Sequence, residues 1–222
     1  MNLGRLVIAG CMVVGLLVAG CHPSDSSVAQ KPRTPEASSQ PQTAKTVEAT
    51  KPPVPSAVTS EPAKKFVLRV DCGAFGPYKD KLGNTWAADQ ELGAGQTWGA
   101  EDGSTMDREG VGITGTEIPR LYETERYSMG SYKFTVPNGK YTVRLHFAET
   151  FEGITGPGER VFSVSVAGRV ELKDLDVLKA VGPLKPLVKE YKGVSVENGQ
   201  LVIGFTPNIE NPQICGIEIL AE

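Results

Sequence analysis

Apolar and polar residues alternate along several short segments of this chain. Residues 132–136 place Tyr, Phe and Val at every second position, and residues 141–147 do the same with Tyr, Val, Leu and Phe. Alternation with a period of two predicts β-strands that bury one face. Similar apolar or alternating runs occur at 66–70, 162–166, 194–196, 201–205 and 214–220.

The connections between these segments carry turn residues. Asn138-Gly139 separates the two best alternating runs, and this dipeptide is the strongest short-range signal for a β-hairpin. Asn198-Gly199 separates another pair of runs. Helical periodicity is thin throughout. Many short strands with such turns predict an all-β fold, an antiparallel β-sandwich.

The N-terminus has the layout of a secretion signal. Arg5 precedes an apolar run over 6–18, which is too short for a stable membrane span, and the run ends in the residues 18–21, Val-Ala-Gly-Cys. This ending resembles a bacterial lipobox, so we expect a lipoprotein signal peptide over 1–20 and acylation of Cys21. The alternative is an ordinary signal with a chance cysteine.

The segment 21–64 follows with a tether composition. It is rich in Pro, Ser and Thr, and no Phe, Trp or Tyr occurs before Phe66. Such a segment buries too little apolar surface to offset its ordering entropy. We therefore expect a disordered tether and one folded domain over 65–222. The expected location is the bacterial cell envelope, with the chain anchored in the lipid bilayer. His22 follows the acylated position, which points to the outer membrane or the cell surface.

Charge and histidine content restrict the function. Residues 65–222 contain 17 Lys/Arg and 22 Asp/Glu, a formal charge of −5, which disfavours nucleic acid as a partner. His22 and His146 are the two histidines of the chain, too few for a histidine metal cluster, and His22 lies in the tether. We expect no metal, no cofactor and no catalytic residues, and hence a protein that is not an enzyme.

Two cysteines lie in the domain. Cys72 follows the first predicted strand and Cys215 lies in the last one. Terminal strands of sandwiches often neighbour each other, and an oxidising compartment permits a disulfide between them. The alternative is a pair of small buried thiols, and the sequence does not decide between the two.

Six motifs occur in order along the domain. They are RVDCG (69–73), LYETERY (121–127), NGKYTVRLHFAET (138–150), RVFSVSVAGR (160–169), KDLDV (173–177) and ENPQICGIEI (210–219). Together they cover nearly all of 66–221 and resemble a malectin domain, the carbohydrate-binding module of family 57 type. The resemblance implies a β-sandwich of jelly-roll-like, galactose-binding-like architecture, and a non-enzymatic lectin function.

The resemblance also suggests binding residues. Tyr127 matches an aromatic residue of the family's sugar pocket, and Trp98 takes the place of an earlier pocket tyrosine. Phe151 matches the first of two adjacent aromatic residues, whereas Glu152 replaces the second. Glu210 stands where the family has a pocket aspartate. We expect Trp98, Tyr127, Phe151 and Glu210 to converge and bind a neutral glycan.

These residues could alternatively have purely structural roles. Tyr127 alternatively packs as a half-buried strand residue, and Glu210 as a surface charge. The charges of the segment 123–126 are expected to form structural ion pairs rather than sugar contacts. For the whole domain, the alternative to glycan binding is a sugar-blind domain that docks a protein partner at the envelope.

Overall fold

The structure is a computed structural model, and it describes residues 65–222. The expected signal peptide over 1–20, the acylated Cys21 and the tether over 21–64 lie outside the described residues. The described part has fourteen strands, one 3₁₀ helix and one short α-helix. In chain order they are β1 Val67–Asp71, β2 Tyr78–Lys79, β3 Thr85–Ala88, β4 Trp98–Glu101, β5 Ser104–Asp107, the 3₁₀ helix Pro119–Tyr122, β6 Thr124–Tyr127, β7 Ser131–Thr135, β8 Gly139–Phe147, β9 Val161–Val166, β10 Arg169–Leu175, α1 Val177–Val181, β11 Leu187–Val196, β12 Gln200–Ile209, β13 Gln213–Ile214 and β14 Gly216–Ala221.

Two large sheets form the sandwich. The six-stranded sheet has the order β11-β8-β14-β1-β3-β2, and the five-stranded sheet has the order β10-β9-β12-β7-β4. All pairs in them are antiparallel except β1 with β3. A third sheet of three strands, β13-β6-β5, is separate from both. The predicted all-β sandwich is confirmed.

The core lies between the inner faces of the two large sheets. Tyr132 and Phe134 of β7 face it from one sheet, and Val143 and Leu145 of β8 face it from the other. These are the alternate positions of the sequence pattern, so the pattern predicted the buried faces correctly. The core is complete within residues 65–222, and we therefore expect this range to fold on its own.

The predicted hairpin at Asn138-Gly139 is wrong. Strand β7 pairs with β12 and β4, whereas β8 pairs with β11 and β14 in the opposite sheet. The chain therefore crosses between the sheets at Asn138-Gly139, and it crosses back at Asn198-Gly199. The two crossings are hydrogen-bonded to each other, since the Asn138 side chain accepts from the Gly199 amide at 2.7 Å. Val136 N also donates to Gly199 O at 3.0 Å.

These two crossings define one end of the sandwich, which we call the corner end. The opposite end, where β8 and β12 finish and β9 begins, we call the loop end. Both ends of the domain lie at the corner end, because Ala221 N donates to Phe66 O and Glu222 N donates to Lys140 O. Strand β1 runs from there to the loop end.

His146 lies buried on the outer face of the six-stranded sheet. Trp86 of β3 and Tyr122 of the 3₁₀ helix pack against its ring. The Tyr122 hydroxyl lies 2.8 Å from His146 Nδ1, and Glu218 Oε1 lies 3.1 Å from Nε2. Both ring nitrogens therefore have partners inside the protein.

The terminal strands are neighbours, as expected, but the cysteines are not bridged. Cys72 N donates to Cys215 O at 2.8 Å, and both thiols are free and buried. Cys72 packs in the core between the large sheets, whereas Cys215 packs with Trp86 and Leu121. Because the side chains belong to different clusters, the structure favours the alternative of two buried thiols. Burial raises the pKa of both thiols.

Residues 65–222 contain no helix that is long and apolar enough to span a bilayer. Helix α1 is a single turn and a half, and the Asp176 side chain caps it by accepting from Lys179 N at 2.8 Å. The described part of the chain also has no group of three His, Cys, Asp or Glu residues arranged to hold a metal ion.

Candidate functional site

The three-stranded sheet at the loop end separates two environments. Successive side chains of a strand point to opposite faces. In β6, Thr124 and Arg126 point toward the sandwich, where they bind Asp71 and Asp89. Glu125 and Tyr127 point to the other side. Alternate residues of the TERY sequence therefore make structural contacts with the sandwich and line the opposite side.

Buried polar pairs fix β6 against the sandwich. Arg126 Nε donates to Asp89 Oδ2 at 2.7 Å, and both side chains are almost fully buried. Asp89 also accepts from the Gly73 amide at 2.7 Å and from the Tyr132 hydroxyl at 3.0 Å. Gly73 has φ +91°, and a Cβ there would lie 2.3 Å from Glu125 O, so only glycine allows β6 this close.

The same strand region contains a buried carboxyl group, Asp71, at the end of β1. It is 1% exposed and accepts a hydrogen bond from the Thr124 hydroxyl. Burial raises its pKa to about 7, against the lowering effects of that hydrogen bond and of Arg120. Asp71 therefore retains its proton over most of the acidic range.

A cavity opens on the far side of β6, and three of the four expected site residues line it. Tyr127 comes from the end of β6, Phe151 from the loop after β8, and Glu210 from the turn after β12. Tyr127 is half-buried, whereas Phe151 is 45% exposed and Glu210 is exposed. The structure thus brings Tyr127, Phe151 and Glu210 together.

Trp98 does not belong to this cavity, so the expectation for it was wrong. It is the first residue of β4, an edge strand of the five-stranded sheet, and it pairs with Phe134 of β7. Its ring stacks on the Phe134 ring at 6.1 Å between centroids and an interplanar angle of 12°. Trp98 is a half-buried residue that extends the core, because the glycine-rich segment around it forms a paired strand.

Two arginines that the sequence analysis did not identify flank Phe151. The Arg108 and Arg160 guanidinium carbons lie 5.8 and 5.9 Å from the ring centroid, within the range of cation–π attraction. Each arginine has a buried carboxylate partner. Arg108 Nη1 donates to Glu125 Oε1 at 2.8 Å, and Arg160 Nε lies 3.1 Å from Glu149 Oε2.

These pairs confirm the expected ion pairing of the segment 123–126, with one addition. Glu123 pairs with Arg120 at 3.4 Å, and Arg126 pairs with Asp89. Glu125 pairs with Arg108 and also lines the cavity. The charges of the segment are therefore structural, and Glu125 contributes to the cavity wall as well.

The electrostatics of the cavity are balanced. Its lining contains the carboxylates of Glu125 and Glu210 and the guanidiniums of Arg108 and Arg160, whose formal charges cancel. Burial raises the pKa of the nearby Glu149 carboxyl, while Arg160 acts to lower it. Glu210 has φ +57°, an uncommon backbone conformation for a residue with a side chain. Met106 and Asn211 complete the lining.

Two proteins of known identity each resemble part of this chain. Malectin of Mus musculus is 33% identical over 117 residues, which are 46% of this chain and 40% of that protein. A probable LRR receptor-like serine/threonine-protein kinase of Arabidopsis thaliana is 39% identical over 95 residues, 39% of this chain and 9% of the kinase. The chain therefore spans less than half the length of these relatives.

Solved structures show the same architecture. A Bacteroides uniformis β-glucuronidase superposes with a TM-score of 0.64 at 25% identity, over 71% of this chain and 18% of the enzyme. The plant receptor-like kinase FER superposes with a TM-score of 0.59 at 24% identity, over 69% of this chain and 48% of that structure. Residues 66–217 match the family model of the malectin domain, and the chain belongs to the malectin domain family.

Proposed function

We propose that the cavity at the loop end binds a neutral glycan and that the domain acts as a lectin. Malectin domains are a carbohydrate-binding, non-catalytic family. The observation that carries the proposal is the joining of Tyr127, Phe151 and Glu210 in one cavity from three separate segments.

The chemistry of this cavity suits a sugar. A pyranose ring has an apolar C–H face, which packs on aromatic rings, and hydroxyls, which bind charged or amide groups. Tyr127 and Phe151 offer the aromatic surfaces, and Glu210 and Asn211 offer polar partners at the rim. Because the charges of the lining cancel, an anionic sugar gains no net attraction, and a neutral glycan fits best.

A catalytic role has little support in the described residues. His146 is buried with both ring nitrogens occupied, and the Cys72 and Cys215 thiols are fully buried. The glucuronidase is an enzyme, but its match to this chain covers 18% of it. We therefore propose a binding module rather than an enzyme.

The test is a glycan array on residues 65–222, followed by calorimetry with the ligand found. Tyr127→Ala is expected to abolish binding while the melting temperature stays nearly unchanged, because the side chain is half-buried at a strand end. Trp98→Ala is the matched aromatic control outside the cavity, and it should retain binding. Loss of binding in Trp98→Ala alone would place the site elsewhere. If the wild type binds no glycan, docking of an envelope protein becomes the better explanation.

We also propose that the mature protein is lipid-anchored in the bacterial envelope through Cys21. The proposal rests on the residues 18–21 after an apolar run and on the composition of 21–64. Two or three acyl chains bind a bilayer firmly, whereas one alone is marginal. Cys21→Ser should block maturation and release the protein from membranes. A serine variant that still matures and fractionates with membranes would contradict the proposal.

A further inference from the structure

The cavity at Phe151 continues into two others along the surface. Phe151 is common to all three. Met106 and Arg108 line both the first cavity and the second, while Val111 and Glu152 line both the second and the third. Because they share these residues, the three cavities adjoin one another in a line from Tyr127 past Phe151 to Leu184, and we call this line of cavities the groove.

The size of the groove exceeds that of its first part. The first cavity has a volume of about 190 Å³, and the other two have about 440 and 210 Å³. Binding sites for small molecules typically measure about 300–1,000 Å³. The first cavity alone falls below this range, whereas the groove as a whole lies within it.

Backbone hydrogen bonds hold the walls of the extension in place. Val111 N donates to Arg108 O at 3.0 Å, and Ile154 N donates to Phe151 O at 3.0 Å. Leu184 joins the other wall by donating to Glu149 O and accepting from Thr114 N, each at 3.0 Å. These segments are loops, yet each is tied to a neighbour. The fold itself therefore holds the walls of the groove in place.

The extension combines apolar and polar lining as the first cavity does, with aliphatic side chains in place of a second aromatic ring. Val111, Ile154 and Leu184 give apolar surface, and the Glu152 side chain and the exposed Glu109 give polar edges. A linear polysaccharide presents the same alternation of C–H faces and hydroxyl edges from unit to unit. A protein helix or an apolar ligand would match the polar edges poorly.

We propose that the groove binds an internal stretch of a linear neutral polysaccharide, several sugar units long, which crosses Phe151. This inference rests on the proposed glycan-binding function and specifies its ligand. Phe151 separates the subsite at Tyr127 from the subsites at Val111 and Leu184. A terminal residue of the chain is not required, because the groove passes along the surface on both sides of Phe151.

The test compares ligand length. Size-fractionated oligosaccharides of amylose, cellulose, mannan and xylan are titrated into residues 65–222, from disaccharide to hexasaccharide. For the oligosaccharide series that binds, we expect the affinity to rise by about tenfold from disaccharide to hexasaccharide. A tenfold rise needs only about 1.4 kcal/mol of additional binding free energy. Val111→Ala should remove most of this rise and leave disaccharide affinity unchanged. Val188 is an exposed valine on β11, and Val188→Ala is the control, which should show the same rise of affinity with oligosaccharide length as the wild type.

The outcomes separate the inference from the proposed function. Equal affinity for disaccharide and hexasaccharide, or a full length effect in Val111→Ala, would overturn the extended groove while glycan binding stands. Binding of none of the four series and of no glycan on the array, with the amide resonances of Tyr127 and Phe151 unshifted, would overturn the proposed function and this inference with it. Melting curves establish that both valine variants are folded.

Discussion

Two regions of the domain are held together by different interactions. One is the core between the two large sheets, and the other is the three-stranded sheet at the loop end. The core consists of apolar side chains such as Phe134 and Leu145, which pack without directional bonds. The three-stranded sheet is held by polar pairs, of which Arg126 with Asp89 is the most buried.

The two kinds of interaction affect different properties: the stability of the domain and the position of the cavity side chains. Apolar burial stabilises the fold in proportion to area and tolerates small shifts. A buried ion pair adds little net stability, but it is satisfied in one geometry and is costly to break. We infer that the core determines how stable the domain is, while the polar pairs determine where Glu125 and Tyr127 stand in the cavity.

The largest effect should come from the core. Phe134→Ala removes a buried ring that contacts the rings of Trp98 and Tyr132, and it should lower the free energy of unfolding by about 3–5 kcal/mol. Urea unfolding measures the loss. The glycan affinity of the folded fraction should stay as in the wild type. A folded Phe134→Ala domain with weakened affinity would show that core and cavity are coupled.

Breaking the buried pair should have the next largest effect. Arg126→Met leaves the Asp89 carboxylate buried without its cation, at a cost of about 3 kcal/mol. Adding Asp89→Asn should restore part of this stability, because a neutral amide tolerates burial better. Chemical denaturation of the single and double variants measures the coupling.

The control is a surface pair on the six-stranded sheet. Lys192 Nζ lies 3.2 Å from Glu190 Oε1, and the Lys192 side chain is 73% exposed. Lys192→Met should therefore cost less than about 1 kcal/mol. Equal losses for Arg126→Met and Lys192→Met would contradict the structural role assigned to the buried pair.

A further effect on stability should depend on pH, through Asp71. Its pKa is about 7 in the folded domain against 3.8 in an unfolded chain, so the folded state holds the proton more tightly. The stability from this group is complete below pH 3.8 and is lost as the pH rises through about 7. Melting temperatures across this interval should show the decline, and Asp71→Asn should reduce it. An unchanged pH slope in Asp71→Asn would rule out Asp71 as its source.

The smallest effect on stability should come from the cavity rim, with the opposite sign. Glu210 has φ +57°, which costs an L-residue about 1 kcal/mol relative to glycine. Glu210→Gly should raise the melting temperature slightly and weaken glycan binding. Ala167→Gly, at φ +49° in the turn between β9 and β10, is the control that should change stability alone. Weakened binding in both variants, or in neither, would remove Glu210 from the site.

The sequence predicted which side chains are buried better than it predicted which strands pair. Alternation fixes the face of each strand, so Tyr132, Phe134 and Val143 were placed correctly. It does not specify the partner strand, and Asn138-Gly139 proved to cross between the sheets rather than to close a hairpin. Partner choice depends on contacts across the sandwich that local pattern does not contain.

The residues that line the cavity could be predicted where a sequence motif contained or adjoined them. Tyr127, Phe151 and Glu210 lie in or beside motif blocks, and the structure brings them together. The prediction for Trp98 was wrong because the glycine-rich sequence around it suggested a loop, whereas Trp98 begins a strand that pairs with β7. Arg108 had no signal of its own, since its role arises from the distant Glu125 and Phe151.

The two ends of the domain lie together, and their position decides where a support can be attached relative to the groove. Phe66 and Ala221 are joined at the corner end, and β1 runs from there toward Thr124 beside the cavity. A support joined to either end of residues 65–222, such as a sensor chip, is therefore attached at the end of the sandwich opposite the groove and leaves the groove accessible. On the proposed function, a long polysaccharide would reach the groove without passing between the domain and that support.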